Sequence, residues 1–307
     1  METTQNEFQQ TEETTIFSIK KFKQQAKAQL KNRRLIPTLA LIFSTIVSLL
    51  IYVPYYYILF KQMDDQASVP ADAILKMYAL LFPLMILIFV IISTLQIANI
   101  SLYFKMFKSS EKVTFSDFIN GFSLWLKGLA ANLLRSVFIY LWALLAMLPC
   151  VGLISVGTII TETTNSNVLL VLTPMILLVC YVLLFSVLLV KLYQYSQMIY
   201  MIVDNPKISA KKALNLSIKI TKGYKKNLFV LDLSFIGWNL LSILTLGIAT
   251  LWVFPYQILT QINAYDFLKK EYVKKVKSEL NLPTETETEP TYTESKETNT
   301  ESESTEN

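Results

Sequence analysis

Runs of about twenty apolar residues recur along this chain, and they limit its fold more than any other feature. One of them, NLFVLDLSFIGWNLLSILT, covers residues 227–245. A helix of about 20 residues crosses the roughly 30 Å hydrocarbon core of a bilayer. Hydrophobic residues make up 53% of the 307 residues and charged residues only 17%, a smaller charged share than soluble domains usually carry. The sequence therefore predicts an all-α fold, a polytopic transmembrane helical bundle.

The apolar runs predict about six spans. The third and fourth are placed only within wider windows, because apolar residues fill those windows almost completely. The predicted spans are Leu35–Phe60, Tyr78–Tyr103, one within Leu129–Ile160, one within Val168–Val203, Asn227–Thr245 and Ile248–Leu268.

Lysine and arginine are concentrated in alternate connections between these spans. Seven of them lie in residues 20–34, seven in 207–226 and five in 269–277, whereas the connection TETTNSN (161–167) has none. Because basic residues collect on the cytoplasmic side, the pattern predicts a multi-pass membrane protein with both termini in the cytosol.

The basic flanks of residues 227–268 restrict how this segment meets the membrane. Both flanks are predicted to be cytoplasmic, so the segment crosses an even number of times. The interpretation we favour is a tight helical hairpin with an outer turn at TLG (245–247). The alternative is a re-entrant loop that enters and leaves on the cytoplasmic side.

Amphipathic helices are predicted beside the spans. Residues 16–30 place apolar side chains three and four apart with lysines between them, which favours a helix on the anionic inner leaflet. A second helix is expected after a cap at Ser116, with Phe118, Phe122 and Trp125 on one face. A third follows Pro206. A cytoplasmic docking surface is the alternative function of these helices.

The chain is thus predicted to have four parts. These are a cytoplasmic segment with a basic helix (1–34), a transmembrane domain (35–268), a basic juxtamembrane helix (269–282) and an acidic tail (283–307). The tail is rich in Thr and Glu without apolar periodicity, which predicts disorder.

Several kinds of chemistry find no support in the sequence. The chain has no histidine, and its two cysteines, Cys150 and Cys180, lie in apolar runs where they are expected to pack as small apolar side chains. No phosphate-binding loop, metal-ligand cluster or nucleophile elbow is present in the sequence. We therefore expect no enzymatic activity, no cofactor, no metal and no nucleic-acid partner.

Residues 195–256 carry a resemblance to a known family. The matching elements are a Tyr-Ser pair at 195–196, Asp-Asn-Pro at 204–206, Lys-Gly at 222–223, and then LDLSFIGW, LTLGI and Pro-Tyr at 255–256. Together they resemble the bacterial membrane proteins grouped as domain-of-unknown-function family 975, and the likeness extends over most of residues 16–270. Pro149-Cys150 departs from the family's Pro-Gly-Ile. The resemblance implies a bacterial plasma-membrane protein and brings no activity.

Three ionisable residues lie within the predicted spans, where charge is costly and usually functional. Asp232, Arg135 and Lys191 are expected at similar depth near the inner interface. Our hypothesis is that Asp232 pairs with Arg135 or Lys191 and locks the hairpin against the third and fourth helices. In one alternative the cations reach the interface while Asp232 caps backbone or faces water, and in another the residues form a proton or ion pathway.

The last span also carries polar side chains. Tyr256, Gln257, Gln261 and Asn263 are candidates for lining a cavity or for bonding to neighbouring helices.

The function that the sequence favours is a non-enzymatic scaffold, assembly or accessory protein with a membrane or cytoplasmic protein partner. The alternative is a small-solute or ion transporter with Asp232 in its pathway. The sequence leaves the oligomeric state open.

Overall fold

The computed structural model describes residues 16–64, 71–164 and 167–280. Over these ranges the chain forms α-helices and one short 3-10 turn, and no strand. The α-helices are α1 (Ile19–Leu30), α2 (Leu35–Asp64), α3 (Ala71–Lys108), α4 (Phe115–Gly121), α5 (Trp125–Thr164), α6 (Asn167–Tyr195), α7 (Met198–Asp204), α8 (Ala210–Ile220), α9 (Lys225–Leu233), α10 (Ile236–Leu244) and α11 (Thr250–Glu279). The all-α fold is confirmed, while the predicted disordered tail (283–307) lies outside the described residues.

Five segments in the described ranges are long and apolar enough to cross a membrane. They are Leu35–Phe60, Leu81–Lys108, Phe115–Pro149, Pro174–Asp204 and Lys225–Leu244. The first coincides with its prediction, and the others overlap theirs. The predicted sixth span, Ile248–Leu268, is not among the five, because Gln257, Gln261, Asn263 and Asp266 lower the hydropathy of α11.

A short central helix, α7, lies in the core of the helical bundle. Six consecutive residues, Met198 to Val203, are buried. A helix that is apolar on every side must be enclosed by protein. Helices α3, α5 and α8 supply that enclosure, and Asp204 ends α7.

Helix α1 packs on protein where the sequence predicted lipid contact. Its apolar residues Phe22, Ala26 and Leu30 are 4%, 0% and 2% exposed, and its main neighbour is α11. Gln29 and Asn263 exchange two hydrogen bonds across this contact, of 3.3 and 3.0 Å. The apolar periodicity identified the buried face of α1 correctly but not what covers it.

Two further details differ from the sequence predictions. Helix α4 is capped by a capping box of Thr114 and Asp117, so the expected cap at Ser116 was wrong by two residues. Trp125 is 41% exposed, whereas Phe118 is fully buried, so these two do not share a buried face. The predicted boundary at 268/269 falls within α11, which continues unbroken from Thr250 to Glu279, and it stays a prediction.

The predicted turn at 245–247 is present and ends a helical hairpin. Leu246 and Gly247 have φ values of 50° and 90°, the left-handed conformation that reverses a chain after a helix. The Gly247 N–H donates to the Ser242 carbonyl at 2.7 Å. One arm of the hairpin is α9 and α10, which are separated by a break at Ser234 and Phe235, and the other is α11.

Candidate functional site: a polar cavity between seven helices

A cavity of about 700 Å³ lies between α2, α3, α5, α6, α7, α9 and α11. Its apolar walls come from leucine, isoleucine and phenylalanine side chains of these helices. Its polar lining residues are Ser44, Thr45, Ser48, Gln96, Asn99, Arg135, Tyr193, Ser196, Gln197, Tyr200, Asp232 and Gln261. The cavity therefore collects polar side chains from helices that are otherwise strongly apolar.

Asp232 is held in this cavity by neutral hydrogen-bond donors. Gln261 Nε2 donates to Asp232 Oδ1 at 2.9 Å, and the Tyr200 hydroxyl donates to Gln261 Oε1 at 2.6 Å. The Tyr193 hydroxyl is a second polar neighbour of the carboxylate. The line from Tyr200 through Gln261 to Asp232 joins α7, α11 and α9, so the side chain orientation of Asp232 depends on three helices.

Arg135 faces the same cavity. Within the described residues its guanidinium forms neither a hydrogen bond nor an ion pair, although it interacts electrostatically with Tyr200. No ion pair joins Asp232 to Arg135 there, so the two opposite charges share a cavity without forming the direct lock that the sequence suggested.

Lys191 lies elsewhere. Its ammonium is 3.7 Å from the ring centroid of Trp142, and Lys191 is not among the residues that line the cavity. A cation over an indole face is stabilised by the ring quadrupole. Lys191 therefore pairs with an aromatic ring rather than with Asp232.

Two buried oxygen atoms on the cavity lining lack hydrogen-bond donors. They are Asn99 Oδ1 and Gln197 Oε1, on side chains that are 5% and 3% exposed. Their amide nitrogens are occupied, since Asn99 donates to Ser44 Oγ at 2.8 Å and Gln197 to Ser196 Oγ at 2.8 Å. A buried polar atom without a partner costs about 1–3 kcal/mol. Both oxygens are covered by protein atoms, so each is an unsatisfied acceptor beside the cavity rather than one that faces it.

The four polar candidates on the last helix separate into different surroundings. Gln261 lines the cavity, and Asn263 pairs with Gln29 of α1. Tyr256 packs on the Phe235 ring at 5.2 Å, on the side that faces α1. Gln257 is half-buried and is not a lining residue of the cavity. Tyr256 and Asn263 are seven residues apart and share a face, whereas Gln261 projects about 140° away from Tyr256.

A second polar cluster lies at the C-terminal end of α7. The Asp204 carboxylate accepts from Lys108 at 2.7 Å, from Lys269 at 2.5 Å and from the Tyr265 hydroxyl at 3.0 Å. Asp204 is 10% exposed and each lysine about half exposed. This cluster ties the end of α7 to α3 and α11. Among the described residues, no group of three or more acidic or sulfur side chains is arranged to hold a metal ion.

These features define a class of protein: an all-α chain with five apolar segments of membrane length and a polar cavity among its helices. A family described as "Protein of unknown function (DUF975)" matches residues 17–272. The chain belongs to this family, which confirms the resemblance found in residues 195–256. No curated protein and no solved structure gives a significant match.

Proposed function

We propose that this protein is a multi-pass protein of the bacterial plasma membrane that binds, and as a small transporter moves, a small zwitterionic solute. The observation that carries the proposal is the cavity itself, which is lined by the anion Asp232 and by the cation Arg135, unpaired among the described residues. Ionisable groups inside a membrane are costly, and transporters place them on substrate pathways. This arrangement favours the solute-binding alternative over the scaffold that the sequence favoured.

The size of the cavity supports the same conclusion. Small-molecule sites usually enclose about 300–1,000 Å³, and a volume of about 700 Å³ falls within that range. Arg135 suits an anionic group such as a carboxylate. The Asp232 carboxylate suits an ammonium group. An amino acid carries both groups on one small molecule.

The lining residues also bear on enzymatic activity. Asp232 is the single carboxylate among them, and its hydrogen-bond partner is an amide. Acid–base chemistry by carboxylates uses two groups whose environments separate their pKa values. We therefore propose binding and transport without catalysis.

The proposal is tested by ligand-induced stabilisation of the purified protein in detergent. The twenty amino acids, first pooled and then tested singly, are the probes, and glycerol is the uncharged comparison. A ligand at one hundred times its Kd stabilises the folded state by about 2.7 kcal/mol, which is measured as a rise in melting temperature. We expect one or more amino acids to raise the melting temperature and glycerol to leave it unchanged.

Two substitutions locate the binding site. Arg135→Gln and Asp232→Asn each remove a charge-assisted hydrogen bond of about 1.5–3 kcal/mol, so Kd should rise roughly tenfold to a hundredfold. Lys191→Gln is the matched control, because it removes a cation from the same predicted depth outside the cavity lining. Equal weakening by all three variants would contradict the assignment of the site, and the absence of stabilisation by any amino acid would contradict the proposed ligand class.

A second candidate function is the membrane scaffold, and the charge of the surface favours it. Three helices keep their lysines exposed while their apolar faces are buried. These lysines are Lys20, Lys21 and Lys27 of α1, Lys211, Lys212 and Lys219 of α8, and Lys269, Lys270 and Lys275 of α11. Loss of a copurifying acidic partner on Lys211→Glu with Lys212→Glu, together with unchanged amino-acid binding, would favour the scaffold.

A further inference from the structure

The tip of the C-terminal hairpin is an exposed apolar surface. We call residues 236–249 the tip, which comprises α10 and the turn that follows it. Ile243, Leu244 and Leu246 are 72%, 73% and 95% exposed, and Ile248 is 62% exposed. The main contact of α10 is with α11, its own hairpin partner. An apolar helix with so little protein cover requires another apolar environment.

The turn at the end of the tip has no free backbone donor. The N–H groups of Thr245 to Leu251 all donate within the segment, and that of Ala249 donates to Thr245 Oγ1 at 3.0 Å. Backbone polar groups in lipid must form hydrogen bonds within the protein, whereas those of a turn in water can form hydrogen bonds with the solvent. The N–H groups of the turn therefore meet the requirement for lying in hydrocarbon.

Helix α1 indicates the depth at which α11 lies. Lys27 lies 5.8 Å from the ring centroid of Tyr256, and Arg34 shares a groove with Trp252 and Val253. The outer face of α1 carries exposed lysines and glutamines, which do not remain within hydrocarbon. Since α1 accompanies α11 along this stretch, the beginning of α11 lies at the headgroup level rather than at the far side of a membrane.

The other arm of the hairpin meets α1 in the same way. Lys23 Nζ donates to the Ser234 carbonyl at 3.0 Å and lies 4.3 Å from the Phe235 ring centroid. A cation at the end of a helix stabilises its free carbonyl groups. The break between α9 and α10 therefore also lies at the level of α1, and α10 starts from there.

The direction of α11 relative to α3 gives independent support. Lys108 of α3 and Lys269 of α11 both pair with Asp204. Closer to the N-terminus of each helix, the ring centroids of Tyr103 of α3 and Phe254 of α11 are 6.3 Å apart. The two contacts are therefore separated by fifteen residues, about 22 Å, along α11 but by only five residues, about 8 Å, along α3. Helix α11 runs obliquely across α3, whereas the second arm of a two-span hairpin would run along it.

We infer that the tip is a re-entrant wedge that enters the inner leaflet from the cytoplasmic side and contacts lipid acyl chains, without crossing the bilayer. Helix α10 has nine residues, so it reaches about 14 Å, close to half of the roughly 30 Å hydrocarbon core. Trp252 at the return of the chain is 58% exposed and suits the interface. The even number of crossings predicted from the lysines is then zero. This inference rests on the membrane placement in the proposed function and not on its ligand.

Spin-label depth measurement tests this inference in proteoliposomes of phosphatidylethanolamine and phosphatidylglycerol. Nitroxide labels are attached singly through Leu244→Cys, Ile236→Cys and Ile46→Cys in a chain with Cys150→Ser and Cys180→Ala. Their exposure to oxygen, which concentrates in lipid, is compared with their exposure to a water-soluble nickel chelate. All three positions are surface-exposed, so the labels need no space in the core.

The re-entrant wedge and the two-span hairpin give opposite orders of depth. For the wedge, the label at Leu244 lies about 12 Å deeper than the label at Ile236, from eight residues of rise. For two spans, Ile236 lies near the bilayer centre and Leu244 at the outer surface. A shallow Leu244 label beside a deep Ile46 label overturns the inference and leaves the membrane placement intact. A shallow Ile46 label overturns the inference and that placement together.

Discussion

Replacing Asp204 with alanine should lower the melting temperature of the purified protein more than replacing any other described acidic residue. Its carboxylate joins three partners, Lys108, Lys269 and Tyr265, from two helices. Breaking a fully buried ion pair costs about 3–5 kcal/mol, but both lysines are half exposed and can return to water. We therefore expect a loss of about 2–3 kcal/mol, in line with hydrogen bonds to charged groups.

Asp266→Ala is the matched control for this prediction. Asp266 lies on α11 beside Tyr265 and pairs with Lys270 at 3.0 Å, four residues further along the same helix. Such a pair within one helix contributes about 0.3–0.5 kcal/mol when exposed. The difference in melting temperature between the two variants measures how much the connection of α7 to α3 and α11 stabilises the protein. Equal melting temperatures for the two variants would mean that the Asp204 cluster is not a tertiary connection.

The apolar runs were sufficient to predict most of the fold. Hydrophobic length alone predicted the span Leu35–Phe60, and the basic flanks of residues 227–268, with Gly247 between them, predicted the turn at 245–247. The amphipathic pattern of α1 identified its buried residues. It did not identify what buries them, because lipid and a helix of the same protein both cover an apolar face. Sequence periodicity describes one surface and gives no information on its partner.

The sequence predicts a depth along a helix, but it does not predict the direction of a side chain around the helix. Arg135 and Lys191 were placed at similar depth, yet one faces the cavity and the other stacks on Trp142. Asn99 and Gln197 were missed for the same reason. A polar side chain in an apolar run indicates that it needs a protein partner. The position of that partner depends on how the helices pack. In this protein the packing depends in part on close contacts between small residues, such as Gly121 of α4 and Ala98 of α3.

Gly121→Ala should destabilise the protein through one such contact, between α4 and α3. A Cβ at position 121 would lie 2.7 Å from Ala98 Cα and 3.0 Å from the Ala98 carbonyl oxygen. These are backbone atoms, so they cannot rotate away, and the two helices must separate. Overpacking of this kind typically costs about 1–3 kcal/mol. The measurement is the melting temperature of the purified variant in detergent.

Gly237→Ala makes the same chemical change where there is space, and its expected effect has the opposite sign. No atom lies within 4 Å of a Cβ built at Gly237. Alanine is favoured over glycine inside a helix by about 1 kcal/mol, so this variant should be neutral or slightly more stable. Because both variants add one methyl group, the difference in their melting temperatures measures the closeness of α4 to α3. A higher melting temperature for both variants would show that α4 can move away from α3 at little cost. Helix α3 contributes Gln96 and Asn99 to the cavity lining. The same result would therefore mean that this contact does not fix the walls of the cavity.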